Sequence, residues 1–237
     1  MNIGVSVVIP VYNCSVYIGK AIESVLSQTQ KPLEIIVADD GSDDGSASVA
    51  ASFPGVRVVS LPHRGVSSAR NGGIAASAGE WIAFLDADDL WRPEKLERQA
   101  RYLEDHPGCE IVFCRYRNFT DLPDAALSER QKRMMPVVIP ECPASACVKR
   151  QVFDRYGLFD ETLRFGEDTE WIARLRMAGV NLSHCLDEVL YDRRIHTSNL
   201  TLSHSGLSRD EYFVLMAGAA RKASKSRERR KKDGGPQ

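Results

Sequence analysis

The run Val5-Ser6-Val7-Val8-Ile9-Pro10-Val11 is almost continuously apolar. A strand of that composition is covered on both faces, which points to a parallel sheet flanked by helices. The residues that follow fit this frame. Tyr12-Asn13 makes a turn, and Ile18, Ala21, Ile22, Val25 and Leu26 recur at helical spacing. A second apolar run, Leu33-Glu34-Ile35-Ile36-Val37-Ala38, stops at Asp39-Asp40-Gly41-Ser42-Asp43-Asp44-Gly45-Ser46. Ser46 is placed to cap a short helix, and Val56-Arg57-Val58-Val59-Ser60 reads as a third strand. This β-α-β-α-β order within about 60 residues is the grammar of an open parallel sheet. Ligands of such sheets sit outside the carboxyl ends of the strands, so polar residues gathered there are the candidates for function.

Farther on, Ser67 to Ala78 reads as a helix, and Trp81-Ile82-Ala83-Phe84-Leu85 as a short strand running into Asp86-Ala87-Asp88-Asp89. Pro93 sits near the first turn of a helix that extends through Tyr102. Ile111 to Phe113 is strand-like. Asp121 to Met135 is polar, lacks apolar periodicity and is expected to be a mobile surface loop or lid. Gln151 to Tyr156 precedes Gly157-Leu158-Phe159-Asp160, and Glu167 to Ala178 is a strong helix with Trp171, Ile172, Leu175 and Met177 on its apolar side. A last helix is expected from Ser208 to Ala220.

With 237 residues, 43% hydrophobic and 27% charged, the chain can bury one sizeable core. Its net charge of -1 gives no overall field for nucleic acid. The balance is uneven, because Arg221 to Lys232 is strongly basic with only Glu228 opposing it. No apolar run approaches the roughly 18 to 20 residues that span a bilayer. Met1 leads into a strand without a signal-peptide pattern, so a soluble, cytoplasmic chain is expected. Cys109 and Cys114, like Cys142 and Cys147, share a C-x4-C spacing within the loosest zinc window. Neither pair has the glycine-rich knuckle of a zinc ribbon, so buried thiols are the reading adopted here.

Three acidic clusters end segments: Asp39-Asp40, Asp86-Ala87-Asp88-Asp89 and Glu167-Asp168. Asp43 and Asp44 read as turn-forming residues. Asp86 and Asp88 do not, since an apolar strand delivers them together. Carboxylates at i and i+2 past a strand offer hard oxygens to a divalent ion such as Mg²⁺ or Mn²⁺. Two carboxylates alone bind metal poorly, so phosphates of a diphosphate substrate must complete the set.

Taken in order, Val5 to Asn13, Asp39 to Ser46, Ala69-Arg70-Asn71 and Phe84 to Asp89 resemble the motifs of family 2 glycosyltransferases. Phe159-Asp160-Glu161, Gly166-Glu167-Asp168 and Arg194-Ile195-His196 are similar to that family's acceptor-side motifs, and the resemblance runs from Val5 to about Leu202. It implies a GT-A fold, a Rossmann-like mostly parallel sheet with an acceptor-side C-terminal part. One domain over 1–220 would hold a nucleotide-sugar-binding half (1–105) and an acceptor-side half (106–220), followed by a basic, disordered tail (221–237).

The same resemblance implies a nucleotide diphosphate sugar donor, with a uridine or thymidine nucleotide, an unidentified acceptor and inversion at the anomeric carbon. Pro10 and Val11 would border the nucleotide, and Asp40 would hydrogen-bond the base. Arg70 would reach the nucleotide, the alternative being a surface salt bridge. Asp86 would touch ribose or sugar, while Asp88 and His196 would serve the Mn²⁺ or Mg²⁺ site. Asp89 would be a helix cap or a supporting group. Asp168 matches the catalytic base and Glu167 its neighbour, a possible acceptor contact.

The residue chemistry agrees. A departing diphosphate needs its charge neutralised, and the acceptor hydroxyl needs a base. One base without a second nucleophile means a single in-line displacement, hence inversion. A sugar-phosphate nucleotidyltransferase would carry a glycine-rich loop after the first strand, whereas Gly19 is the first glycine after it here. A non-catalytic binding module would have no use for Asp168. The acceptor loops, Asp121 to Met135 and Glu141 to Cys147, carry no readable code. The basic tail could make weak, salt-sensitive contact with an anionic membrane, and is expected to be dispensable for chemistry.

Overall fold

The computed structural model of the chain describes residues 3–123, 126–135, 138–139, 142–196 and 209–232. Four parallel strands open the sheet: β1 (Val5–Val11), β2 (Glu34–Asp39), β3 (Val56–Ser60) and β4 (Trp81–Phe84). Their spatial order is β3-β2-β1-β4, so the chain turns from one direction to the other between β1 and β4. The carboxyl ends at that switch point form the usual ligand crevice of open α/β sheets. The sheet continues through β8 (Cys147–Lys149), β6 (Ile111–Phe119), β9 (Cys185–Arg194) and β5 (Leu90–Trp91), while β7 (Val138–Ile139) pairs with β6. β8 runs antiparallel to β4 and β6, and β9 runs parallel to β6.

Two apolar layers cover the sheet. Val5, Val7, Ile9 and Val11 of β1 pack with Ile18, Ala21, Ile22 and Val25 of helix α1 (Ser15–Leu26). Val8 packs on the opposite side with Ile74 of α3 (Val66–Ala76), Phe84, Phe153 and Trp171. The period of two along β1 thus divides the core in two. Gly73 lets α3 approach β1 closely, since a Cβ there would lie 2.2 Å from a Val8 methyl.

The turns at the crevice lock one another. Ser15 N donates to Asp44 Oδ2 at 2.8 Å and Cys14 N to Ser46 Oγ at 2.8 Å. Asn13, at φ 47, receives Asp43 N on Oδ1 at 3.0 Å. Ser46 therefore satisfies the start of α1, not of its own helix. Helix α2 (Ser46–Ala51) begins after Gly45, at φ 90.

The remaining helices are α4 (Lys95–Asp105), α5 (Glu129–Met134), α6 (Arg150–Tyr156), α7 (Glu167–Met177) and α8 (Arg209–Lys232). The stretch expected to be a lid carries α5, with a Ser128–Gln131 capping box. The tail reading is also corrected, because α8 continues through the basic run to Lys232. Leu215, Ala219, Ala223 and Ser226 form its buried stripe, small residues that a search for large apolar periodicity passes over. Lys222 pairs with Asp160 and lies 3.3 Å from Glu170 Oε1. Gly234-Gly235-Pro236 lies outside the described residues. No helix among the described residues is long and apolar enough to cross a membrane. Cys109, Cys114 and Cys147 are buried, as read.

Candidate functional site

β1 ends at Pro10 and Val11, both buried, and Asp40 N donates to Val11 O at 2.9 Å. Asp40 itself is 2% exposed. Its carboxylate accepts from Arg64 N at 2.9 Å and Gly65 N at 2.8 Å, and His63 Nδ1 lies 2.9 Å from Oδ2. The carboxylate expected to meet the base thus organises the β3–α3 turn. The exposed groups beside it are the rings of Tyr12 and His63, stacked with centroids 4.0 Å apart.

β4 delivers Asp86, Asp88 and Asp89 to the same rim, in three different environments. Asp86 Oδ1 accepts from Arg70 Nη2 at 3.0 Å, and Arg70 Nη1 donates to Glu167 Oε1 at 2.8 Å. Arg70 is buried, so the surface salt bridge considered from sequence is replaced by an internal one linking the end of β4 to α7. Its guanidinium also sits 5.4 Å from the centre of the Phe159 ring. Burial pushes the Glu167 carboxyl above its ordinary range, Arg70 opposes that shift and the Asp168 charge adds to it.

Asp88 Oδ2 lies 2.9 Å from His196 Nε2, so the two residues assigned to metal by resemblance meet. The Asp88 carbonyl accepts from Arg194 Nε at 2.8 Å. Asp89 is a supporting group and caps no helix. It accepts from Tyr191 Oη and from Arg194 N, the latter at 2.6 Å. Burial, then the charges of Asp88 and Asp86, push its carboxyl upward. Arg194 also pairs with Asp121 and lies over the Tyr17 and Phe119 rings, at 5.0 and 4.5 Å. Gln131 Nε2 reaches His196 O at 3.4 Å, so α5 borders the site. Cys14, whose N–H receives the cap from Ser46, has its thiol pushed up to about 12 by burial and by nearby Asp88 and Asp44. Sequence reading gave Arg194 and Tyr191 no role. Arg194 had a signal in the Arg194-Ile195-His196 motif, while Tyr191 had none beyond its nearness to that motif.

Among the described residues no group of three His, Cys, Asp or Glu side chains converges as a metal cage. The pair Asp88 and His196 still fits a divalent ion that takes its other ligands from phosphate oxygens, because it joins one hard oxygen and one imidazole nitrogen.

Asp168 stands in the first turn of α7, after Gly166 at φ 74. Its Oδ1 accepts from Thr169 N at 2.6 Å. It lines a cleft of about 230 Å³ with Thr169, Ile172, Arg176, Pro143 and Met216. Pro143 comes from the segment expected to shape the acceptor site, while its first residue, Glu141, lies outside the described residues. Asp86, Arg70 and Glu167 are joined by hydrogen bonds, and Asp168, the next residue of α7, lines this cleft.

Residues 6–157 match the family model described as glycosyl transferase family 2. An uncharacterized glycosyltransferase of Rickettsia typhi is 32% identical over 93% of this chain and 73% of its own length. Hyaluronan synthase of Pasteurella multocida is 27% identical over 90% of this chain, which spans 22% of that protein. Among solved structures, S. aureus TarS 1-349 in complex with UDP-GlcNAc superposes with a TM-score of 0.74 at 20% identity, covering 92% of this chain and 66% of that one. A mannosyltransferase from Pyrobaculum calidifontis, in complex with GDP-Man and Mn2+, gives a TM-score of 0.63 at 18% identity, over 94% of this chain and 73% of its own. The fold is GT-A, as the sequence implied. Fold, motif order and these likenesses agree, and the chain belongs to glycosyl transferase family 2.

Proposed function

We propose that this enzyme transfers a sugar from a nucleotide diphosphate sugar, a uridine or thymidine one, to an acceptor hydroxyl with inversion. The meeting of Asp88 and His196 at 2.9 Å, across 108 positions, carries the reading. Those two side chains would hold Mn²⁺ or Mg²⁺, which supplies charge neutralisation beside the leaving diphosphate when bound. The UDP-GlcNAc and Mn2+ complexes of the two structural neighbours support the donor and metal classes.

Each remaining role belongs to a named side chain. Pro10 and Val11 border the nucleotide, and Tyr12 with His63 offers a flat stack for a base while Asp40 holds their loop in place. Asp86 faces the ribose or sugar, fixed by Arg70. Asp168 accepts the acceptor's proton as the new bond forms on the face opposite the departing diphosphate. Glu167 holds Arg70 in position.

The test is donor hydrolysis and transfer with and without Mn²⁺, followed by NMR of the product's anomeric centre. Metal-dependent turnover with inverted configuration is expected. Retained configuration would overturn the single-displacement reading.

A further inference from the structure

Between α6 and α7 the chain runs through residues 157–166 without a helix or strand among them. Gly157 at φ 89 and Gly166 at φ 74 stand at its two ends, in the left-handed region where glycine has no steric cost. This connection fixes where α7 begins, and with it the position of Asp168.

Asn71 of α3 grips the connection from the donor side. Its Oδ1 accepts from Phe159 N at 3.0 Å, and its Nδ2 donates to Phe159 O at 2.9 Å and to Glu161 Oε1 at 2.9 Å. One buried amide thus satisfies both backbone groups of Phe159 across 88 positions, using its oxygen and both its N–H groups. Neighbouring Arg70 binds Glu167 immediately before Asp168. From the other side, Lys222 of α8 pairs with Asp160, and Arg174 Nη2 donates to Leu158 O at 2.8 Å.

We propose that Asn71 is a positioning residue for sugar transfer, clamping Phe159 and Glu161 so that the connection presents Asp168 at the donor site. The inference rests on Asp168 being the base. A side chain with this role acts on the rate of the chemical step and not on donor affinity, because it touches the acceptor half while the donor rests on β1 and β4. A misplacement of about 1 Å at the base lowers turnover by about 10².

The experiment compares Asn71→Ala, Glu161→Ala, Asp168→Asn and the double variant Asn71→Ala/Asp168→Asn in the full chain, with UDP affinity measured alongside. Glu161 is exposed, so Glu161→Ala keeps a folded test in hand if Asn71→Ala fails to fold. The expected result is a fall in kcat of about 10 to 10² for Asn71→Ala and a few-fold for Glu161→Ala, with UDP affinity within about threefold. The double variant should turn over no more slowly than Asp168→Asn alone, since residues acting as one unit are not additive. A merely structural role would instead lower activity equally in both backgrounds, which would overturn the inference. So would wild-type kcat in folded Asn71→Ala and Glu161→Ala beside an inactive Asp168→Asn. Wild-type turnover in Asp168→Asn would overturn the base assignment itself, and the inference with it.

Discussion

Asp88 and His196 lie 108 positions apart, yet their side chains meet at 2.9 Å, because Arg194 ties the end of β9 to the loop after β4. One Arg194 nitrogen holds the Asp88 carbonyl and its backbone N–H holds Asp89. These two contacts bring the end of β9, and with it His196, beside Asp88.

Asp88→Ala should abolish the metal dependence of nucleotide binding. Calorimetry of UDP with the wild-type chain should show at least about tenfold tighter binding with Mn²⁺ than with EDTA, and the variant no difference. Equal wild-type affinities in the two buffers would refute the metal assignment.

Asp168→Asn should keep UDP affinity and lower turnover by about 10² to 10⁴. The isosteric change leaves the cleft volume intact, so loss of the proton acceptor is the only large effect. Turnover near wild type would direct attention to Glu167.

Arg70→Gln removes the cation from between two carboxylates in a buried site. Breaking such a pair costs about 3 to 5 kcal/mol at neutral pH. The sign with pH follows from Glu167, whose carboxyl is already raised by burial against the opposing pull of Arg70. A raised carboxyl contributes stability below its unfolded value and loses it as pH rises through the folded one. The melting-temperature deficit of Arg70→Gln should therefore grow from pH 5 to pH 8, and a deficit that shrinks would contradict this.

Acid should weaken the fold through Asp44 and Asp160. Burial opposes ionisation of each, but hydrogen bonds from Ser46 and Ser15 hold Asp44 at about 2, and Lys222 with Thr162 holds Asp160 at about 2. Both lie below the ordinary 3.8, so their contribution is complete above that value and is lost as pH falls toward 2. Asp160→Asn should flatten the acid limb of a melting-temperature profile, while an unchanged limb would count against the Lys222 bridge.

A chain ending after Ala220 should be less stable than one ending after Lys232. It loses Ala223 from the core layer around Trp171 and leaves Glu170, 1% exposed, without Lys222. A loss of about 1 to 3 kcal/mol is expected, read as a fall of several degrees in Tm. An unchanged Tm would mean that α8 beyond Ala220 adds nothing to the stability of the fold.

The legible parts of the fold were those with a local pattern. β1, β2 and β4 are apolar runs, and α1 and α7 carry large residues at helical spacing. β6 was read only to Phe113, because Arg115 and Arg117 alternate outward beyond it and break the apolar run. β5, β7 and β8 are two or three residues long and exist only through their partners. In the site, motif order brought Asp86, Asp88, Arg70, Glu167 and His196 to one rim. It could not say that the Asp40 carboxylate is taken up by the β3–α3 turn, since the donors at 63–65 come from beyond a helix and a strand. Nor could it show that Arg194 joins β9 to the loop after β4, a link made by its side chain to the Asp88 carbonyl and by its backbone N–H to the Asp89 carboxylate.

The capping of α1 by Asp44 and Ser46 couples stability along the chain. The N-terminal turn of this helix has no side-chain acceptor of its own, and its donors at Cys14 and Ser15 are met only when residues 44–46 arrive from beyond β2. The helix is therefore open at its start until the second strand has docked against the first. Docking of β2 beside β1 therefore supplies the cap of α1, worth about 1 kcal/mol, and ties the stability of the first two β-α units together.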